Sequence, residues 1–157
     1  MRTAITRAMV SVLGLVFVTV AMVGLAWADD GHHPKKRFIV LPPDNEWVLD
    51  LTTALRWQKS PSSNPTDWTT AGTMCTGLGH GARLPEIKEL ISLVDYSVAY
   101  PGPVLPAGNP FVNVQQYYYW SATPVAGTAA SAWRVLFFNG GVNDGIKTDP
   151  SYVWCVR

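Results

Sequence analysis

Two cysteines constrain this 157-residue chain more than any other feature of its sequence. Cys75 and Cys155 permit one intramolecular pairing, and bonding them closes a loop of about 80 residues, worth about 4 to 5 kcal/mol in the loop-entropy model. In an exported chain we expect them to be bonded, with buried free thiols or an intermolecular link as the alternatives. Their separation matches neither a CxxC redox motif nor a zinc-binding spacing, which argues against a catalytic thiol and a cysteine metal site.

The first 28 residues are typical of an export signal. Arg2 and Arg7 precede an apolar stretch at 8–25, and Ala26-Trp27-Ala28 places small residues at the cleavage positions. We therefore predict a signal peptide at 1–28, cut before Asp29, and a periplasmic or secreted protein. Because the apolar stretch is nearly long enough to cross a bilayer, an uncleaved signal anchor is the alternative, and membrane attachment is expected only in that case.

The charge balance beyond residue 28 excludes two classes of partner. Ten basic and eleven acidic residues give this part a formal charge of −1, which leaves no basic footprint for nucleic acid or anionic lipid. The length fits one domain, predicted at 46–157 after a linker at 29–45. The linker contains His32 and His33, a pair that without further nearby ligands is more typical of solvated side chains than of a metal site.

Apolar spacing predicts two helices in the first half of the domain. A strand hairpin is expected at 47–58, followed by a helix that begins at Thr66 or Asp67. The apolar side chains of that helix are Trp68, Ala71, Met74, Cys75 and Leu78. A second amphipathic helix is expected to start at Pro85, with its apolar face on Ile87, Leu90, Ile91 and Val94.

The second half of the domain reads as a long loop followed by strands. Four prolines and two glycines at 95–110 predict a surface loop without regular structure. Strands are expected at 117–121, 132–138, 142–147 and 152–156, with Asn139-Gly140 as a hairpin turn.

A set of motifs spread over Trp47 to Arg157 also forms a recognisable pattern. Its members are Trp57-Gln58, Trp68 with Ala71 and Cys75, Arg83-Leu84-Pro85-Glu86-Ile87-Lys88-Glu89-Leu90, Tyr118-Tyr119-Trp120-Ser121-Ala122-Thr123-Pro124, Ala132-Trp133 and Val153-Trp154-Cys155-Val156-Arg157. The set resembles the bacterial DUF1566 family, which is also named for the C-terminal domain of the Legionella collagen-like adhesin.

The resemblance implies a fold and a disulfide pairing. The implied fold is α+β and C-type-lectin-like, with two helices packed on a small twisted antiparallel sheet, and it is shared distantly with formylglycine-generating enzymes. In that fold a disulfide joins the first helix to the last strand, where Cys75 and Cys155 fall. The sequence departs from the family at Ala82, where members often carry Trp, and this leaves the packing of that corner in question.

Calcium binding is not favoured by the sequence, and no cofactor is predicted. The carboxylate-Pro-amide and Trp-Asn-Asp tripeptides of calcium-binding lectins are missing. The nearest approach, Asn143-Asp144-Gly145, would leave a calcium ion short of oxygen ligands and is better explained as a turn.

The same residues argue against an enzyme. A formylglycine-type oxidase needs a reactive cysteine pair, whereas both cysteines here are expected to be bonded. Glu86 and Glu89 lie on one expected solvated helix face rather than across a cleft, and His80 has no partner motif for a serine nucleophile.

Binding has more support, because aromatic and amide side chains are concentrated in the C-terminal third. Strand alternation assigns Tyr118 and Trp120 to the core and leaves Tyr117 and Tyr119 as candidate contact residues. A polar loop at 139–147 supplies the remaining candidates, which are Asn139, Asn143, Asp144 and Lys147.

We therefore predict an exported, non-enzymatic lectin-like domain that recognises a glycan or the surface of the cell envelope. The alternative is a protein interaction or structural module of the bacterial envelope without a small ligand. The resemblance to the adhesin domain implies polyanionic glycans, for which Arg134, Lys147 and Arg157 are a small basic set.

Overall fold

The computed structural model describes residues 36–157. The predicted signal peptide at 1–28, the His32-His33 pair and the first part of the predicted linker lie outside the described residues. In the described part of the chain, no helix has the length and apolar character needed to cross a membrane.

The first antiparallel sheet is a three-stranded meander of β1 (Phe38–Leu41), β2 (Trp47–Asp50) and β3 (Arg56–Gln58), in that order. Val48 pairs with Trp57 across β2 and β3, and both side chains are fully buried. The hairpin predicted at 47–58 is therefore confirmed. β1 lies inside the segment predicted as a linker and pairs along its whole length with β2.

The first helix, α1 (Trp68–Gly77), follows the predicted cap. The carboxylate of Asp67 accepts hydrogen bonds from two backbone N–H groups of the first turn, each at 3.0 Å, which satisfies donors that a helix start leaves unpaired. The helix buries only Ala71 and Cys75. Cys75 is bonded to Cys155, so the expected disulfide is present.

The second helix, α2 (Ile87–Ile91), is one and a half turns long and shorter than predicted. A reciprocal capping box of Glu86 and Glu89 starts it. The apolar period that continues to Val94 belongs to a turn, because the N–H of Val94 bonds to the carbonyl of Ile91, a three-residue spacing that ends the α-helical pattern.

The second antiparallel sheet contains β4 (Tyr118–Val125), β5 (Thr128–Leu136) and β6 (Gly141–Ile146), again in chain order. The predicted turn at Asn139-Gly140 joins β5 to β6. Gly140 has a φ of 79°, a conformation that favours glycine, and the Asn139 side chain accepts a hydrogen bond from the N–H of Gly141 at 2.9 Å.

Two hydrophobic clusters form the core. The first cluster lies between α2, the first sheet and one face of β4 and β5. Its buried members are Trp57, Leu90, Leu93, Leu105, Tyr119, Val135, Phe137, Trp154 and Val156. The second cluster lies between α1 and the other face of β4 and β5. Its buried members are Ala71, Cys75, Leu84, Trp120, Ala132, Val153 and Cys155.

The C-terminal segment, residues 151–157, passes between the two clusters. Alternate side chains face opposite ways, so that Trp154 and Val156 belong to the first cluster while Val153 and Cys155 belong to the second. Because both faces of the segment are covered, it contributes to the whole core although it forms no continuous strand.

Isolated bridges attach this segment to both sheets. Tyr152 pairs with Tyr119 of β4, and Val156 pairs with Trp57 of β3. The strand predicted at 152–156 is therefore an extended segment that pairs one residue at a time with several neighbours.

The predicted fold class is wrong. An α+β fold with two helices packed on one small sheet was expected, whereas residues 36–157 form two separate three-stranded antiparallel sheets with helices of only 10 and 5 residues. The described chain is mostly β. The prediction of a longer second helix failed because the apolar spacing over 87–94 is equally compatible with the short helix α2 followed by a tight turn.

Candidate functional site

A cleft of about 850 Å³ opens where the start of β4 faces the C-terminal segment. We call it the tyrosine cleft, after the three tyrosines in its wall. Its lining residues are Pro65, Val114, Gln115, Gln116, Tyr117, Tyr118, Arg134, Asp149, Pro150 and Tyr152. The volume is in the range typical of sites for small organic ligands.

The aromatic wall of the cleft is held by edge-on contacts between rings. Tyr117 lies 5.4 Å from Tyr118 and 6.3 Å from Tyr152 between ring centroids, both in T-shaped arrangements. Tyr117 is 53% exposed, whereas the other two are half-buried. Tyr117 therefore presents an aromatic surface that its neighbours hold in place.

Arg134 of β5 supplies the positive charge of the cleft. Its guanidinium carbon lies 4.1 Å from the centroid of the Tyr118 ring and 5.7 Å from that of Trp120. Its Nη1 donates to the hydroxyl of the buried Ser151 at 3.3 Å. These contacts order the head group beside the aromatic wall.

Two hydrogen bonds hold the residues just before β4 in place. The backbone N–H of Gln115 donates to the hydroxyl of Tyr119 at 2.7 Å, and the Gln116 side-chain amide donates to the carbonyl of Gly102. Burial raises the pKa of Tyr119 far above its usual range, so this phenol remains neutral and serves as a structural support.

The structure brings only one of the six predicted contact residues to the cleft. Tyr117 lines it, but Tyr119 is fully buried in the first cluster, and Tyr118, assigned to the core, is half-buried and lines the cleft. The prediction that Tyr118 is buried and Tyr119 is exposed was wrong, because it assumed that only one face of β4 is buried. Tyr119 and Trp120 are both buried, since a hydrophobic cluster covers each face of β4.

The polar loop predicted at 139–147 is largely strand β6. Asn143 pairs with Arg134 and Asp144 with Trp133, so consecutive side chains point to opposite faces of the sheet. Asn139 closes the preceding turn. These three residues are exposed, but none of them lines the tyrosine cleft.

Lys147 is engaged elsewhere on the surface. Its ammonium group donates to the carbonyl of Ala129 at 2.9 Å and lies 4.4 Å from the centroid of the Trp68 ring. The turn expected at Asn143-Asp144-Gly145 is also wrong, because these residues lie inside β6. Over residues 36–157, no group of three or more His, Cys, Asp or Glu side chains is arranged to hold a metal ion.

Glu86 and Glu89, considered above as catalytic carboxylates, form hydrogen bonds within the domain, and His80 lies in a turn. Glu89 forms a bidentate ion pair with Arg83 at 2.7 and 2.8 Å, and the hydrogen bonds from Arg83 hold the pKa of Glu89 below its usual range. Glu86 accepts a hydrogen bond from the hydroxyl of Thr123. His80 has a φ of 53° in the turn after α1.

Sequence reasoning missed the main polar residue of the cleft and one of its aromatic walls. Arg134 is named from the sequence only as one of a small basic set, although a cation inside an otherwise apolar strand is a usable signal. Tyr152 is expected in a strand, and nothing in its local sequence shows that the chain returns to the start of β4. No motif or periodicity in the sequence identifies Gln115 and Gln116 as residues of a cleft.

Comparison with known proteins places the chain in a family. No curated protein shows significant sequence similarity to it. Among solved structures, a chain of a complex between a mutant von Willebrand factor A1 domain and botrocetin is similar at 12% identity and a TM-score of 0.45, over 74% of this chain and 97% of that chain. The family model for the Lcl C-terminal domain matches residues 46–157. This match confirms the resemblance predicted from the motifs, and the chain belongs to the Lcl C-terminal domain family, which is of adhesin type.

Proposed function

We propose that this domain binds a glycan in the tyrosine cleft. Membership of an adhesin-type family fits a binding role. The observation that carries the proposal is the half-exposed ring of Tyr117, fixed by Tyr118 and Tyr152 at the wall of a cleft of about 850 Å³. An ordered and exposed aromatic ring is the kind of surface on which the apolar face of a sugar stacks.

The polar groups of the cleft complement the hydroxyl groups of a sugar. Gln115, Gln116 and Asp149 line it together with the tyrosines and supply amide and carboxylate groups. Tyrosine and amide side chains combine contact area with adaptable hydrogen bonding at a low entropy cost. A short oligosaccharide fits this combination better than a purely apolar ligand does.

We propose that the domain is not an enzyme. Glycoside hydrolysis commonly uses two carboxylates on either side of the scissile bond. Of the acidic residues at 36–157, Asp149 alone lines the tyrosine cleft. The ion pair of Glu89 with Arg83 and the contact of Glu86 with Thr123 favour structural roles for those two carboxylates.

We also propose that the chain acts outside the cytoplasm. The disulfide and the adhesin-type family are consistent with export. The residues at 1–28 would direct export, and the domain would then meet its glycan in the periplasm or after secretion.

A glycan array with the exported protein tests the binding proposal. We expect the protein to bind at least one glycan class, Tyr117→Ala to lose that binding, and Tyr117→Phe to retain most of it because the ring remains. Tyr100→Ala is the matched control, since Tyr100 is 73% exposed and lies outside the cleft. Binding should be equal in calcium and in chelator. An array without any bound glycan would contradict the proposal.

A protein-interaction module is the second candidate. Tyr96 and Tyr100 are 67% and 73% exposed on the segment between α2 and β4, and exposed tyrosines are frequent in protein interfaces. If this surface binds an envelope protein, Tyr100→Ala should weaken that complex while Tyr117→Ala leaves it intact. The same two variants therefore separate the two candidates.

A further inference from the structure

The guanidinium of Arg134 lies between an aromatic ring and a glycine. The Tyr118 ring lies 4.1 Å from it. On β6, a Cβ placed on Gly145 would lie 2.6 Å from both Cζ and Nε of Arg134. Glycine at this position lets the head group pack directly on the backbone. The planar guanidinium group of Arg134 is therefore ordered in the unliganded protein. This order lowers the conformational entropy that the side chain loses when a ligand binds.

This ordered cation has few partners of its own. Nε is buried and its N–H donates to no acceptor among residues 36–157, and the one hydrogen bond of the head group within that range is donated by Nη1 to the Ser151 hydroxyl at 3.3 Å. Buried polar atoms are usually paired, so an arginine with spare donors at the wall of a cleft is an exception that calls for an explanation.

Two other arginines of the domain, Arg37 and Arg83, form bidentate ion pairs with carboxylates, whereas Arg134 does not within residues 36–157. Arg37 donates from Nε and Nη2 to the two oxygens of Asp50 at 3.0 and 2.7 Å. Arg83 donates from Nη1 and Nη2 to the two oxygens of Glu89 at 2.7 and 2.8 Å. Both forks are matched by a carboxylate of the same chain. Within residues 36–157 no carboxylate lies within ion-pair distance of Arg134.

Arg157 is the closest comparison, and its surroundings differ. Its Nε is also buried and has no hydrogen-bond partner in the part of the chain that the structure describes, and its guanidinium carbon lies 4.1 Å from the centroid of the Trp47 ring. The small cavity beside it is lined by two acidic residues, Asp44 and Glu46, which oppose the approach of an anion. Arg134 lines a larger cleft in which the acidic lining consists of Asp149.

We propose that Arg134 is the anchor for the carboxylate of an acidic sugar, whose ring lies against Tyr117. This inference rests on the proposed glycan function and names the ligand class of the same site. A planar fork matches a planar carboxylate, and charge-assisted hydrogen bonds of this kind are about twice as strong as neutral ones. A cleft whose charged lining consists of one cation and Asp149 favours a ligand with one carboxylate over a densely sulfated chain, because repeated negative charges would be repelled by that acid.

Matched acid and ester pairs test the proposal. The probes are short oligosaccharides of galacturonic acid, glucuronic acid and N-acetylneuraminic acid, each compared with its neutral methyl ester by titration calorimetry on the exported protein. We expect at least one free acid to bind about tenfold or more tightly than its ester. Arg134→Gln should remove that preference, so that acid and ester bind alike, and Arg134→Lys should restore only part of it because lysine has no planar guanidinium.

Gly145→Ala is a second variant that should reduce the preference for the acid over its ester. It keeps the charge of Arg134 but displaces the head group, so the acid preference should fall as it does in Arg134→Gln. Near-ultraviolet circular dichroism and the melting temperature report whether each variant is folded. The comparison of acid with ester on the unsubstituted protein requires no variant at all.

Each outcome has a definite reading. Equal binding of acid and ester, unchanged in Arg134→Gln, would overturn the carboxylate anchor while leaving glycan binding in place. Tighter binding of a sulfated oligosaccharide without carboxylates would also overturn it. If no acid, ester or neutral sugar binds the unsubstituted protein, both the anchor and the glycan function fail.

Discussion

Cys75 of α1 is bonded to Cys155 of the C-terminal segment, inside the second hydrophobic cluster. The bond joins a helix with two buried side chains to the segment on which both clusters pack. Replacing both cysteines by alanine should lower the free energy of unfolding by about 2 to 5 kcal/mol. Urea denaturation measures this. A loss below about 0.5 kcal/mol would show that packing alone holds α1 in place.

Leu90 of α2 is fully buried in the first cluster. Leu90→Ala should cost about 2 to 5 kcal/mol of unfolding free energy, because it removes buried methyl groups and leaves a cavity. Leu51→Ala is the matched control, since Leu51 is 54% exposed in the turn after β2 and its truncation should change stability by about 0.5 kcal/mol or less. Similar losses in the two variants would refute the assignment of the core.

Glu89 should make stability depend on pH in the acid range. Hydrogen bonds from Arg83 lower the pKa of Glu89 in the folded state, so its contribution is present near neutral pH and is lost as the pH falls through that lowered pKa. Glu89→Gln should therefore be less stable than the unsubstituted protein at pH 7, with the difference shrinking toward pH 3. Chemical denaturation at both pH values measures it, and a constant difference would exclude the ion pair as the cause.

Gly102 and Gly72 should respond in opposite ways to alanine. A Cβ on Gly102 would overlap the carbonyl oxygen of Phe137, where the segment between α2 and β4 bonds to the two residues that follow β5, so Gly102→Ala should lower the melting temperature. A Cβ on Gly72, inside α1, would meet nothing within 4 Å. Gly72→Ala should stabilise the protein by about 0.5 to 1 kcal/mol through the better helix propensity of alanine. Calorimetric melting of both variants tests the pair, and a shift of the same sign in both would contradict it.

Arg134→Gln should leave the unliganded protein close to its original stability. The head group makes one long hydrogen bond at 3.3 Å to Ser151 and no ion pair within residues 36–157, so stacking on Tyr118 is its main contribution to folding. We expect a loss of about 1 kcal/mol or less. A loss above about 3 kcal/mol in urea denaturation would show that Arg134 is primarily a structural residue.

Local features of the fold were predictable because their causes lie within a few residues. The Asp67 cap depends on the two N–H groups that follow it, and the turn at Asn139-Gly140 depends on the positive φ that glycine accepts. The extent of α2 was not predictable in this way. Apolar spacing up to Val94 is compatible both with a longer helix and with the short helix and turn that the fold adopts.

The family, the cysteine pair and the order of most elements follow from the sequence, because motifs, cysteine number and short-range periodicity are properties of the chain alone. Which residues face the cleft depends on contacts between distant parts of the chain. Tyr119 is buried and Tyr118 lines the cleft because β4 lies between two hydrophobic clusters, so alternation could not identify an exposed face. The surroundings of Arg134 are formed by Tyr118, Gly145 and Ser151 of the C-terminal segment. Local sequence patterns do not show these contacts, because they join residues distant in sequence.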